Sequence, residues 1–303
     1  MKRNVILMGG KTHVISLPSQ WIKKYQIQKG DELHLQELDN SIVVRTDKHP
    51  SSSKELEVDF RALDSMMIRG VGAIYKAGYT RVKILYDTKE QLHKIEQILA
   101  RTCVGFVITQ QNENYVVIES ITEEVSQGFE NYLKRLFYSL ESMNQELVEA
   151  LLRKDPVLLK AIVDKDDQIN RIADFCRRVI NSGEQILIDK PHIIYYLVEQ
   201  LERIGDLYKK IAQLALDKKI VSTPSITAHF SDLNALFVSY RTLFYNFNIP
   251  SVEDFGKEFY ALRKKIENGT SKEDGLYFPI LLYQGYLLET IFDLNGALLT
   301  KNI

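Results

Sequence analysis

One short string is written twice in this chain, and it limits what the C-terminal half can become. The first copy reads Leu201-Glu202-Arg203-Ile204-Gly205-Asp206-Leu207 and the second Leu288-Glu289-Thr290-Ile291-Phe292-Asp293-Leu294. The two glutamates stand 87 positions apart (289 minus 202). Four residues on a helix is just over one turn, so each Glu and its Asp share one face as neighbouring carboxylates. Like charges at that spacing repel and weaken the helix unless something positive sits between them. A pair made twice calls for a cation, either a metal or an arginine.

The surroundings of the second copy sharpen this. Between Asp274 and Lys301 the only charged residues are Glu289 and Asp293. A helix so apolar on every side is expected to be buried. The uncharged run before Glu289 is shorter than the roughly 20 residues a bilayer span needs, so no membrane insertion is expected. Isolated buried carboxylates are costly and must be paired, protonated or metal-bound. Glu289 and Asp293 are therefore expected to hold a cation inside a helical bundle; ion pairs to Arg241 or Arg263 are the bland alternative. Around the first copy, Glu199, Glu202, Asp206, Lys209 and Gln213 also fit a solvated stripe laced along its own helix.

With 303 residues, a net charge of −1 and 45% hydrophobic residues, the chain fits a soluble protein of two or three domains. Cys103 and Cys176 lack metal or redox spacing, and no secretory signal is expected from the short apolar run after Lys2 and Arg3. A cytoplasmic location is the expectation. The overall charge hides an asymmetry. Residues 1–29 hold Lys2, Arg3, Lys11, Lys23, Lys24 and Lys29 and no acid, and residues 1–50 carry eight Lys/Arg against five Asp/Glu. A basic front on an acidic body suggests that the front meets an anion, of which nucleic acid is the commonest.

In chain order, residues 4–7 and 12–17 read as strands around a Gly9-Gly10 turn, and Pro18-Ser19 opens a short helix. Residues 32–38 and 42–45 read as two more strands. Such a ββαββ unit is too small to bury a core alone, so a homodimer is expected. The run Gly10-Lys11-Thr12-His13-Val14-Ile15-Ser16-Leu17-Pro18-Ser19-Gln20-Trp21, followed by Ile27-x-Lys29-Gly30-Asp31-Glu32-Leu33, resembles the AbrB/MazE swapped-hairpin module. The resemblance implies an all-β barrel over residues 1–48, interleaved from two chains, that binds DNA through Lys2, Arg3, Lys11, His13, Lys23 and Lys24. Lysines supply phosphate attraction more than base readout.

His49-Pro50-Ser51-Ser52-Ser53 reads as a linker. Residues 54–120 then alternate strand and helix as a small α/β domain, with a first helix expected over 61–77. Its Gly70-x-Gly72 has Tyr75 where a nucleotide loop needs glycine. Tyr75-Lys76-Ala77-Gly78-Tyr79 resembles the connecting domain of archaeal proteins that join an AbrB-like front to a PhoU-like rear.

From 122 to 303 the apolar spacing gives six helices in two sets of three, about 122–218 and 224–300, broken at Asp155-Pro156, Ser222-Thr223-Pro224 and Asn268-Gly269 among others. The middle helix of each set adds a second i,i+4 pair, Asp166/Asn170 and Asp254/Glu258. The string Leu-Glu-Arg-Ile-Gly-Asp at 201–206 and this doubled pattern resemble PhoU, the phosphate-uptake regulator. The resemblance implies metal ligands at Asp166, Glu202 and Asp206 in one repeat and Asp254, Glu258, Glu289 and Asp293 in the other; Asn170 departs from the pattern, offering a carbonyl in place of a charge. The implied cofactor is a divalent or ferric ion (iron, zinc, manganese or magnesium), multinuclear clusters included. Oxygen ligands favour hard cations.

The expectation is thus a multidomain, DNA-binding transcriptional regulator of phosphate uptake and homeostasis with a metal-binding sensor domain. The alternative is an accessory protein that restrains a phosphate ABC transporter subunit or its sensor partner without touching DNA. An enzyme is not expected, because none of the six histidines falls beside the carboxylate pairs.

Overall fold

Local signals decide most element boundaries. The computed structural model describes residues 2–38, 40–46, 54–121, 128–182, 188–218, 223–270 and 277–303; the expected linker at 49–53 lies outside them. At the front, β1 (Ile6–Met8) pairs antiparallel with β2 (Thr12–Val14), Leu7 opposite His13. Gly9 and Gly10 join them at φ of 61° and 74°, which glycine adopts without cost. Helix α1 (Ser19–Lys24) follows Pro18, and β3 (His34–Leu38) pairs antiparallel with β4 (Ser41–Arg45). This is the expected ββαββ order. The two ribbons remain separate sheets, so no barrel closes within one chain. No described residue of this module is buried, and Met8, Leu35 and Ile42 are 63%, 70% and 69% exposed.

The middle domain is β5 (Glu55–Asp59), α2 (Met67–Lys76), β6 (Arg81–Leu85), α3 (Lys89–Arg101), β7 (Phe106–Gln111) and β8 (Tyr115–Ser120). Its sheet runs β5-β6-β8-β7, with β5 and β6 parallel and the other pairs antiparallel. Val71, Val82, Ile84, Ile95 and Val116 form the centre of its core. The first helix starts later than residue 61 for a reason that lies in another element. Gln91 Nε2 donates to the carbonyls of Arg61 and Leu63 at 2.9 and 2.7 Å, and those carbonyls would otherwise serve a helix over 61–66. Gly70 sits inside α2, where a Cβ would meet the Phe60 ring at 3.0 Å. Its role is packing rather than phosphate binding.

Six helices follow: α4 (Phe129–Arg153), α5 (Pro156–Ser182), α6 (Pro191–Lys218), α7 (Pro224–Tyr245), α8 (Ile249–Thr270) and α9 (Phe278–Asn302). Proline begins α5, α6 and α7, where its missing N–H costs nothing. The Thr223 hydroxyl caps α7 by accepting from the Ile226 amide at 3.3 Å. The Asn268-Gly269 break is not one, since α8 runs on to Thr270. All six helices share a single core. Lys190 Nζ donates to the Thr300 and Lys301 carbonyls at 2.7 and 3.1 Å, so the start of α6 caps the end of α9. The two helices are therefore antiparallel. Both copies of the repeated string lie about 18 Å from that junction, twelve residues at about 1.5 Å each. Among the described residues no helix is long and apolar enough to cross a membrane.

Helix α5 also holds the middle domain. The Arg178 guanidinium donates to the Tyr75 and Tyr79 carbonyls at 2.9 and 2.8 Å and lies over the Tyr75 and Phe106 rings. Asn181 Nδ2 donates to the Lys76 carbonyl, and Arg171 donates to the Ala100 and Arg101 carbonyls. The last turns of α2 and α3 are thus capped by side chains of one bundle helix.

Candidate cation site

Each copy of the repeated string meets an arginine from the middle helix of its own set. In the first, Arg177 of α5 is 2% exposed and bonds Glu199 and Glu202 of α6, with Asp174 at 3.0 Å. In the second, Arg263 of α8 stands 3.7 Å from Glu289 of α9 and bonds Glu267 at 3.0 Å. Arg177 precedes Glu202 by 25 positions and Arg263 precedes Glu289 by 26. That repeated interval was the available signal for Arg177, which the carboxylate pattern alone misses. Arg241 goes elsewhere, pairing with Glu141 of α4 at 2.5 Å.

The rest of the first set converges on Asp166, which is fully buried. Its Oδ2 accepts from Lys209 Nζ at 2.6 Å and from Asn170 Nδ2 at 3.0 Å. Its Oδ1 and the Asn170 Oδ1 are buried without a hydrogen-bond partner among the described residues. Burial raises the Asp166 pKa above the usual carboxylate range and the Asp206 charge adds to this, while Lys209 and Asn170 pull it down. For Lys209, burial works to lower the pKa, but the hydrogen bond and charge of Asp166, with Asp206, raise it overall. The pair is asymmetric. The lysine, 40% exposed at its side chain, keeps contact with water, and the acid bears the cost of dehydration. The expected stripe along α6 is in fact a seam, with Glu199, Glu202 and Lys209 reaching across to α5. Gln213 bonds within the helix, to Asp217.

The second set does not meet the expectation of burial. Glu289 is 49% exposed at its side chain, and Asp293, Asp254 and Glu258 are exposed too. Helix α9 buries its contacts with α6, α7 and α8 and leaves one outer stripe, on which Leu282 and Tyr286 are exposed as well. Scarcity of charge marks an apolar outer face here, not enclosure on all sides. Asp254 pairs with Lys257 of its own helix at 3.1 Å. These four residues do not fit a metal centre.

In the first set, Asp166 and Asn170 each present an orphaned buried oxygen, and the Asp206 charge acts on Asp166. Glu202 is drawn off by Arg177. Among the described residues no three His, Cys, Asp or Glu side chains form a group able to hold a metal, so a multinuclear cluster has no support here. The expected DNA-contacting residues are all exposed. Lys2 and Arg3 precede β1, Lys11 lies in the β1–β2 turn, His13 is on β2, and Lys23 and Lys24 end α1. None has an ion pair among the described residues.

The helices around this site have a known relative. Residues 133–215 match the PhoU domain. The match runs from α4 through α5 to α6 and takes in Asp166, Asn170, Arg177, Glu202, Asp206 and Lys209, so this part of the chain is a PhoU-like helical domain. The α7–α9 set, with its exposed acids, lies beyond the match. No curated protein and no solved structure matches the chain.

Proposed function

We propose that the protein is a regulator of phosphate homeostasis whose helical domain senses a cation and whose N-terminal module binds DNA as a homodimer. The PhoU-domain match across α4–α6 carries the phosphate assignment. Support for the DNA-binding half is separate. Six exposed basic residues stand on a module without buried residues, whose two ribbons need further strands to gain a core. A second copy supplies those strands and doubles the positive charge. Lysine-rich contact would give strong, weakly sequence-selective binding that falls with salt.

At the cation site, Asp166, Asn170 and Asp206 would hold a hard ion such as magnesium, manganese or iron. The bound ion would supply fixed positive charge in place of the Lys209 ammonium. Because α5 also caps the middle domain through Arg171, Arg178 and Asn181, a change at Asp166 has a direct mechanical path toward the front of the chain. A role restraining a phosphate transporter or its signalling partner is the second reading, favoured by the exposed Phe278, Leu282 and Tyr286 along α9.

A gel-shift titration on the intact chain separates the two. Duplex DNA should bind with an affinity that falls steeply with salt, and Lys2, Arg3, Lys11, Lys23 and Lys24 replaced together by Gln should abolish the shift. Equal binding by that variant would move the DNA contact off the N-terminal module, and no binding by the wild type would leave the transporter-restraint reading standing.

A further inference from the structure

A cationic groove runs between α4 and α5, apart from the Asp166 site. Its volume is about 510 Å³ and it opens to solvent along its length. The positive charges are Lys134, Arg135 and Lys165. Lys165 is already engaged, bonding Ser142 Oγ at 3.2 Å and Glu146 at 2.5 Å. Lys134 lies over the Tyr245 ring, and among the described residues neither Lys134 nor Arg135 has an ion pair. Some other exposed cations on these helices and on α3 do find acids, Arg101 with Asp167, Arg153 with Glu149 and Lys160 with Asp164, while Arg171 bonds carbonyls. The helix dipole does not account for Lys134 and Arg135 either. Cations help an α-helix in its last turn, and there α4 has Arg153.

The rest of the lining is all hydrogen-bonding groups. Ser139 and Ser142 offer hydroxyls, Tyr138 a phenol and Asn131 and Gln168 amides, with no acid and no aliphatic side chain in the lining among the described residues. Behind Tyr138, the Arg241 guanidinium lies over its ring and donates to its hydroxyl at 3.4 Å, while Glu141 balances that charge. The α4 positions recur at intervals of three and four, so they form one stripe. From Asn131 to Ser142 the stripe spans about 16 Å, eleven residues at about 1.5 Å. One tetrahedral oxyanion is far shorter than that. A row of phosphoryl groups offers acceptor oxygens at every unit, matching cations with hydroxyls set between them.

We propose that this groove binds a chain of two or more phosphoryl groups, either a free condensed phosphate or the phosphate tail of a nucleotide. It does not rest on the DNA or cation assignments. The test is calorimetric titration of the full-length protein at fixed ionic strength with chelator present. The probes are inorganic phosphate, pyrophosphate, tripolyphosphate, ATP and a poly-glutamate of equal charge. Affinity should rise from phosphate to tripolyphosphate. Lys134→Gln/Arg135→Gln should weaken tripolyphosphate tenfold or more with the melting temperature unchanged, since both residues are exposed. Lys160→Gln, an exposed lysine of α5 outside the groove lining, should leave it within twofold. Tighter binding of ATP than of tripolyphosphate would identify the nucleotide source, and the reverse order the free chain. The proposal is overturned if tripolyphosphate does not bind. It is equally overturned if the groove variant binds as tightly as wild type, if poly-glutamate binds as well, or if phosphate alone matches tripolyphosphate.

Discussion

Asp166 and Glu289 look alike in the sequence, each an acid four positions from another ligand-type side chain, yet one is fully buried and the other half exposed. Burial, with the Asp206 charge, holds the Asp166 pKa above its unfolded value near 3.9. The folded state therefore binds the proton more tightly, so stability is gained below that window and lost as pH rises through the raised value. In chelator, Asp166→Asn should remove this loss. Its urea midpoint at pH 7 should be no lower than that of wild type, and the gap should close toward pH 4. A variant clearly less stable at pH 7 would show that the Lys209 ion pair outweighs the dehydration. Gly205 gives a second residue-level contrast. A Cβ there would meet Ile169 Cγ2 at 2.9 Å, and a β-branched side chain has no soft torsion with which to yield. The second copy has Phe292 instead, stacked on Phe259 with ring centroids 3.9 Å apart. Gly205→Ala should cost about 1–3 kcal/mol by overpacking the α5–α6 contact; a midpoint equal to wild type would contradict that.

Among the elements, those with punctuation were legible. Gly9-Gly10, Pro18, Asp155-Pro156 and Thr223-Pro224 each act through their own backbone, so the ββαββ order and the six helices could be read directly. What depended on a distant partner could not. The segment 61–66 is held out of helix by Gln91, thirty residues further on, and the scarcity of charge in α9 reads as enclosure on all sides although one face is open. The carboxylate spacing was legible as well, but not the partners. Arg177 and Lys209 reach between helices, where spacing within one helix says nothing. The junction of α2 with α5 belongs to this class. Gly78 has φ +79°, and a Cβ there would lie 2.9 Å from the Ser182 Cα. Gly78→Ala is thus strained in its own backbone and blocked by another. Hydrogen exchange should speed up at 75–79 and 178–182 while the centre of α6 keeps its protection. Unchanged protection at 75–79 would mean that the junction is not close-packed.

For the whole molecule, the front module is the part least complete in one chain. Its ribbons leave Ile6, Met8, Leu35 and Ile42 more than half exposed, whereas the two other domains bury their cores. Light scattering of the intact protein at micromolar concentration should give twice the mass of one chain, and Leu35→Lys/Ile42→Lys should return it to the monomer with the helical melt preserved. A wild-type monomer would remove the basis for an interleaved barrel. The proposed regulator joins that dimer to the PhoU-like domain, and mapping the protein's occupancy of chromosomal DNA in phosphate-rich and phosphate-starved cells tests this union most directly. Occupancy beside phosphate-uptake genes should change with phosphate supply and vanish when the five N-terminal Lys/Arg residues become Gln. Occupancy that ignores phosphate, or the absence of any enrichment while phosphate uptake still responds to loss of the protein, would contradict it.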